Sequence, residues 1–159
     1  MPSEGERLEP AEGTTSYSLP LSSEVDPSAA RRTTGQIARV LFRLEAMGAL
    51  RVLRDGAELS DCLAAGTIGA VFHLEGAEAI ADLAELERRY DHGVRSLGLV
   101  WSRANAYCEG VPFRFPGSPD TGPGLPLSGR ELVRACNHLG VVVDLSHLNL
   151  RVLRRSGAV

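Results

Sequence analysis

Thr67-Ile-Gly-Ala-Val-Phe-His-Leu-Glu-Gly76 is the stretch of sequence that decides the fold. Its first eight residues are almost continuously apolar, which is typical of a strand buried on both faces of a parallel sheet. Residues 80–90 then carry apolar side chains at helical spacing, and Gly93 ends that helix. The stretch therefore predicts one β-α unit.

The same alternation continues along the chain. Residues 94–100 and 141–145 predict two further strands, and an S-x-x-E capping box at Ser128 and Glu131 begins the helix between them. Helices are also expected at residues 37–44 and 57–65 and from residue 149 onward. Strands that alternate with helices pair in parallel, which fits either a doubly wound sheet or a (β/α)8 barrel. We predict an α/β fold with about three βα units, which would be less than half of a complete TIM-type barrel of about 250 residues.

Composition divides the 159 residues into two regions. Residues 1–27 are polar and rich in proline, so we predict a flexible N-terminal arm, and residues 28–159 are predicted to form the α/β domain. The chain start has no basic segment followed by an apolar run, so no secretory signal is expected. The apolar stretches are also shorter than the roughly 20 residues that span a bilayer. A cytoplasmic protein without membrane association is predicted.

Charge and cysteine content exclude two classes of function. The formal net charge of -3 provides no basic field for a phosphate backbone, so nucleic acid is not an expected partner. The three cysteines are far apart and show no C-x-x-C spacing, so neither a disulfide framework nor a thiolate zinc site is predicted.

The carboxyl end of the first predicted strand carries two side chains that could perform chemistry. His73 and Glu75 point to the same face because strand side chains alternate. A buried carboxylate there must be paired, hydrogen-bonded or metal-bound, since an isolated buried charge is too costly. Glu75 is therefore either a metal ligand or the partner of a cation such as Arg95 on the next strand.

Asp144 and His147 end the third predicted strand and belong to the same rim. In one interpretation they provide a metal ligand, an acid or base, or a substrate contact. In the other, Asp144 caps the following turn and a hydrogen bond holds His147. No G-x-S-x-G nucleophile elbow occurs, so serine catalysis is not expected.

The long loop at residues 101–126 leaves the carboxyl end of the second strand, where barrel active sites lie. Trp101, Arg103 and Arg114 are candidate substrate-binding residues, because arginine binds carboxylates in bidentate fashion. Alternatively, the aromatic side chains Trp101, Phe113 and Phe115 anchor the loop and the arginines are solvated.

Six separated motifs in this order resemble the membrane (renal) dipeptidase family of zinc peptidases, and its bacterial branch most closely. The resemblance runs from about residue 38 to the chain end. The motifs are Phe72-His-Leu-Glu-Gly-Ala77, Gly93-Val-Arg-Ser-Leu97, Val100-Trp-Ser-Arg103, Gly110-Val-Pro-Phe-Arg-Phe115, Asp120-Thr-Gly-Pro-Gly-Leu125 and Val143-Asp-Leu-Ser-His147.

This resemblance implies a (β/α)8 barrel that holds two zinc ions and hydrolyses dipeptides, with Glu75 as the bridging ligand. The family's other ligands are an H-x-D pair and two later histidines, to which we match no residue of this sequence. Asp144 and His147 lie in a family motif. Together with His73, they are expected to hold the metal ligands by hydrogen bonds rather than to bind metal themselves. Trp101 stands where mammalian members have a substrate-contacting histidine.

The predicted function is that of a zinc-dependent dipeptidase, with catalysis confined to the metal site. One carboxylate cannot hold a catalytic zinc, so the isolated chain is expected to be inactive, as a truncated frame, a remnant or one half of a split enzyme. One alternative is a non-catalytic binding module that pairs with a complementary partner chain. Another is a mononuclear metal site formed by His73, Glu75 and His147.

Overall fold

The computed structural model describes residues 15–21 and 23–156, which form an α/β fold. The elements in chain order are β1 (Tyr17–Leu19), α1 (Pro27–Ala46), β2 (Arg51–Val52), α2 (Gly56–Ala65), β3 (Gly69–Ala70), β4 (Phe72–Glu75), α3 (Leu83–Asp91), β5 (Val94–Gly98), β6 (Phe113–Phe115), α4 (Leu127–Leu139), β7 (Val142–Asp144) and α5 (Leu150–Ser156).

A three-stranded parallel sheet in the order β4-β5-β7 forms the centre of the fold. Helix α3 connects β4 to β5, and α4 precedes β7, so the predicted alternation of strands and helices is confirmed. Within the described residues these strands do not close into a barrel. Their carboxyl ends nevertheless lie along one edge, as in an α/β barrel.

The two faces of this sheet have different surroundings. Leu74, Leu97 and Val143 lie side by side across the three strands and face the apolar core. Helices α3 and α4 pack against each other over this face and contribute the buried side chains Leu86 and Leu132. The opposite face carries polar and partly exposed side chains.

Helix ends follow local sequence signals. Asp26, Asp55 and Asp82 each accept a hydrogen bond from a backbone N–H in the first turn of the following helix. Gly66 and Gly140 adopt φ values of 66° and 74° and close their helices in the left-handed conformation, as predicted.

The capping box predicted at the start of α4 is wrong. Pro126 occupies the cap position, and no side chain caps the helix. The Ser128 hydroxyl instead donates to the carbonyl of Ala106 at 2.7 Å, which ties the helix to the preceding loop. The Ser128 side chain therefore bonds to a distant loop carbonyl instead of to a backbone N–H of its own helix.

The strand predicted at residues 67–74 consists of two short strands. Strand β3 pairs in parallel with β2, and β4 pairs with β5. Strand β2 was not predicted, because two residues carry too little pattern to be recognised.

Helix α1 contacts the core through Ala38, Leu41 and Phe42, and the Phe42 ring packs edge-to-face on Phe72 at 6.0 Å. Ile37 and Val40, on the face expected from the apolar spacing, are 62% and 60% exposed. Within the described residues, no helix is sufficiently long and apolar to cross a bilayer.

The predicted arm at residues 1–27 is only partly described. Residues 1–14 and 22 lie outside the described residues. Residues 17–19 form β1, which pairs antiparallel with β6, and Tyr17 stacks on Phe115 at 6.2 Å. This part of the region is therefore a strand, because a partner 96 positions along the chain supplies backbone hydrogen bonds that composition alone does not reveal.

We expect Leu97→Ala to lower the free energy of unfolding by roughly 2–5 kcal/mol, because it opens a cavity in the core. Leu97 is fully buried, whereas Leu63 is 75% exposed and provides the matched control. Leu63→Ala should change the free energy by no more than about 0.5 kcal/mol. Urea unfolding followed by circular dichroism measures both, and equal effects would contradict this assignment of the core.

Candidate functional site

Parallel register brings Glu75, Gly98 and Asp144 into one row at the carboxyl ends of β4, β5 and β7. Along β4, Phe72 and Leu74 are buried, whereas Glu75 is exposed on the other face. Because Gly98 has no side chain, the space between the carboxylates of the outer strands stays open. The predicted rim is therefore present in the structure.

Glu75 and His147 meet at this rim. The Oε1 atom of Glu75 lies 3.3 Å from Nε2 of His147, and the two side chains are 57% and 26% exposed. The alternative partner, Arg95, donates instead to the backbone carbonyls of Arg54 and Tyr90. Arg95 points away because its guanidinium stacks on the Tyr90 ring, so that alternative is wrong.

The second nitrogen of His147 contacts a serine that the sequence analysis did not select. Nδ1 of His147 lies 3.2 Å from the hydroxyl of Ser102, which is 2% exposed. The Trp101 ring is 5.9 Å from the imidazole centroid. Ser102 lies four positions after the end of β5, and this position close to a strand carboxyl end was the one local signal that could have identified it.

Close backbone packing fixes the geometry of this pair. A Cβ atom on Gly110 would lie 2.5 Å from Cα of Ser102, so only glycine fits there. Gly110 also bridges to Leu148, and the Val111 N–H donates to the His147 carbonyl at 3.0 Å. The loop after β5 and the turn after β7 are thereby joined.

His73 and Asp144 form a second pair on the same face. The imidazole Nδ1 of His73 lies 2.9 Å from the Ser96 hydroxyl, and its Nε2 is 3.9 Å from Asp144 Oδ2. Asp144 also caps the following turn by accepting from the Ser146 N–H at 2.8 Å. The hydrogen bonds from Ser146 hold the pKa of Asp144 below its usual value, with smaller contributions from the two histidines.

A cavity of about 520 Å³ lies between α1 and the carboxyl end of β4. Its lining includes Glu75, His73, Trp101 and Arg103. The Nε atom of Arg103 is buried and lacks a hydrogen-bond partner within residues 15–21 and 23–156. The guanidinium carbon lies 5.6 Å from the Trp101 ring centroid. The Arg103 side chain therefore brings a positive charge to the lining of the cavity.

The other candidates in the long loop lie elsewhere. Trp101 packs edge-to-face on Phe113 at 5.4 Å, so this part of the loop is anchored by aromatic contact. Arg114 is exposed on β6 and lines a separate groove of about 360 Å³. None of the described residues lines both spaces, so Arg103 and Arg114 border different cavities.

A carboxylate oxygen and an imidazole nitrogen are a donor set suited to zinc. Ligands at about 2.0–2.1 Å from one tetrahedral zinc ion lie about 3.3 Å apart, which is the separation of Glu75 and His147. No group of three His, Cys, Asp or Glu side chains in the described part of the chain could hold a metal ion. The mononuclear site of His73, Glu75 and His147 is therefore not formed, because His73 turns to Ser96.

The three cysteines are buried and unpaired. Burial raises the pKa of Cys108 to about 12, with a contribution from Glu109, and raises that of Cys136 to about 11. Both thiols therefore stay protonated at neutral pH.

Residues 11–157 match the sequence family described as membrane dipeptidase, peptidase family M19. The chain is also similar to a solved metallopeptidase from Rhodobacter sphaeroides liganded with a phosphinate mimic of the dipeptide L-Ala-D-Ala. That comparison gives a TM-score of 0.83 and 45% identity, and covers 87% of this chain and 40% of the Rhodobacter chain. The resemblance read from the sequence motifs is confirmed.

Curated relatives include an uncharacterized protein in the pqqA 5′ region of Klebsiella pneumoniae, which is 40% identical over 103 residues. Another, in the PQQ-III 3′ region of Acinetobacter calcoaceticus, is 35% identical over 101 residues. These alignments cover 64% and 63% of this chain but only 38% and 32% of the relatives. The chain thus spans about a third of their length.

We expect Gly110→Ala to destabilise the chain by roughly 1–3 kcal/mol, because the added methyl group collides with the Ser102 backbone. Gly35→Ala is the matched control, since nothing lies within 4 Å of a Cβ at that position of α1. The control should stabilise by up to about 1 kcal/mol through helix propensity. Urea unfolding measures both, and a neutral effect at Gly110 would contradict the close approach.

Proposed function

Because the chain belongs to the membrane dipeptidase family, peptidase family M19, we propose that it is part of a metallohydrolase that cleaves the peptide bond of dipeptides. The observation that carries this proposal is the pairing of Glu75 and His147 at 3.3 Å on the strand-end rim. The three βα units then form one section of a (β/α)8 barrel, whose active sites lie at such a rim.

Glu75 and His147 are the residues of this chain that would hold zinc. This proposal gives His147 a more direct role than the supporting one expected from its motif. By family resemblance the complete site would hold two zinc ions, with Glu75 among their ligands. When bound, zinc activates water and polarises the carbonyl group that is attacked.

Substrate recognition would fall to the cavity beside Glu75. Arg103 lines it, and its guanidinium charge suits the terminal carboxylate of a dipeptide. Trp101 and its contact with Phe113 would shield this carboxylate from water and strengthen its attraction to the guanidinium. Arg114 is not part of this arrangement, since it lines the separate groove.

Two ligands are fewer than the three protein ligands that a catalytic zinc usually has. We therefore propose that the 159 residues alone do not hydrolyse dipeptides and that other strands complete the site. A dipeptide assay with added Zn²⁺ tests this directly. Turnover by the 159-residue chain would contradict it, and no turnover by a zinc-loaded protein with the complete ligand set would contradict the dipeptidase function.

A second candidate is a binding module that pairs with a complementary chain. The observation that favours it is the strand order β4-β5-β7, which leaves one edge of β4 and one edge of β7 unpaired within the described residues. Such edges present backbone N–H and C=O groups that strands of another chain can pair with. Constant co-purification with a second polypeptide, without dipeptide turnover by the complex, would support this function over the first.

In the protein with a complete ligand set, Glu75→Gln should lower kcat/KM for dipeptides by about a hundredfold or more. Removing even a hydrogen-bond partner behind a metal ligand costs 10–100-fold, so loss of a ligand charge should cost at least as much. Glu78→Gln is the control, because Glu78 lines the same cavity without pairing with His147. Retained turnover in the Glu75 variant, measured by amino-acid release, would refute the ligand assignment.

Arg103→Gln in the same protein should raise KM for dipeptides about tenfold or more and leave kcat nearly unchanged. A hydrogen bond to a charged group contributes about 1.5–3 kcal/mol, and its loss weakens substrate binding. Arg114→Gln is the control variant, and a dipeptide amide, which lacks the terminal carboxylate, is the control substrate. If the Arg103 variant affected acid and amide equally, carboxylate binding at this position would be excluded.

A further inference from the structure

Ser102 and His147 are the two non-glycine residues with positive φ in the described part of the chain, at 55° and 63°. They also contact each other through the hydroxyl and Nδ1 at 3.2 Å. A left-handed backbone costs energy for residues with a side chain, so it persists where surrounding contacts enforce it. Here the close approach of Gly110 and the bridge to Leu148 enforce it.

The imidazole of His147 therefore has a fixed contact at one ring nitrogen and an acidic partner at the other. The buried Ser102 hydroxyl holds Nδ1, and Nε2 faces the exposed carboxylate of Glu75. Neither contact alone would fix the ring, because a histidine side chain can rotate about two bonds. Together they leave one ring orientation.

We propose that Ser102 is a positioning residue that holds His147 in the orientation and proton arrangement needed for metal binding at Nε2. This inference rests on the proposed function, in which His147 and Glu75 bind zinc. A hydroxyl can both donate and accept a hydrogen bond, unlike a carboxylate or a carbonyl. His147 requires such a partner because its Nδ1 accepts a hydrogen bond in the metal-free chain and donates one when zinc is bound at Nε2.

In the metal-free chain, Nε2–H can face the Glu75 carboxylate, its ion-pair partner at 3.3 Å, while the Ser102 O–H donates to Nδ1. With zinc at Nε2, that nitrogen must present its lone pair, so the proton resides on Nδ1 and is donated to Ser102 Oγ. The serine reverses its role by rotating its O–H bond, and no heavy atom has to move. The chain would thus be prepared for both states.

The pair formed by His73 and Ser96 provides a natural comparison within the same sheet. Its hydroxyl also contacts Nδ1, at 2.9 Å, but the other nitrogen lies 3.9 Å from the nearest Asp144 oxygen. That distance is too long for a hydrogen bond. Ser96 therefore serves as the matched control position for Ser102.

The test uses the full 159-residue chain labelled with ¹⁵N, and NMR detection of the imidazole nitrogens with and without Zn²⁺. The variants are Ser102→Gly, whose backbone tolerates φ of 55°, Ser102→Ala, which keeps the β-carbon, and Ser96→Ala. Backbone amide spectra identify variants that remain folded. Two Ser102 variants are used so that the measurement can still be made on one of them if the other unfolds.

Wild-type His147 should carry its proton on Nε2 without metal and on Nδ1 after Zn²⁺ is added. Both Ser102 variants should shift the Nδ1 resonance of His147 in the metal-free chain and require at least about tenfold more Zn²⁺ for the same change. Ser96→Ala should shift the resonances of His73 and leave those of His147 unchanged.

Unchanged His147 nitrogen resonances and an unchanged zinc midpoint in a folded Ser102 variant would overturn the proposal. The two levels of inference can fail separately. If wild-type His147 does not respond to Zn²⁺, zinc binding by Glu75 and His147 alone fails, whereas the dipeptidase function is tested separately by turnover of the protein with the complete ligand set. The metal-free Nδ1 resonance still decides whether Ser102 holds the ring.

Discussion

The parallel pairing of β4, β5 and β7 is the constraint on which the rest of this structure depends. It places the carboxyl ends of three strands at one edge and sets the register that aligns Glu75 with Gly98 and Asp144. Because side chains alternate along each strand, one face can be entirely apolar and supported by helices while the other carries the polar groups. The alternation of side chains along the strands therefore places the residues that stabilise the fold and the residues of the candidate site on opposite faces of the sheet.

Much of this arrangement could be predicted from the sequence. The apolar runs, the glycines that end helices and the acidic residue at a strand end have meanings that depend on local geometry, and they predicted the strand-helix order and the rim. What could not be predicted depends on partners far along the chain. Ser128 bonds to a loop carbonyl 22 positions away, and residues 17–19 find their partner strand near residue 114.

The candidate site illustrates the same limit. The position of Glu75 followed from alternation along a strand, but its contact with His147 required the register of three strands. Ser102 was missed because its hydroxyl meets an imidazole 45 positions away, in a pair fixed by backbone packing around Gly110. Each histidine on the open face has a serine on one side and a carboxylate on the other, and only distances distinguish the close pair from the loose one.

The burial of the three thiols has a practical consequence for metal analysis. Thiolates are strong zinc ligands and are a common source of adventitious metal in purified proteins. In the folded chain Cys108 and Cys136 are buried, and this burial raises the pKa of both thiols, so they are not available to the ion. Zinc that dissociates from the folded chain on mild acidification, while its cysteines remain enclosed, would have come from oxygen and nitrogen donors. The amount of zinc released in this way would therefore report the oxygen and nitrogen ligands alone, without a contribution from the buried cysteines.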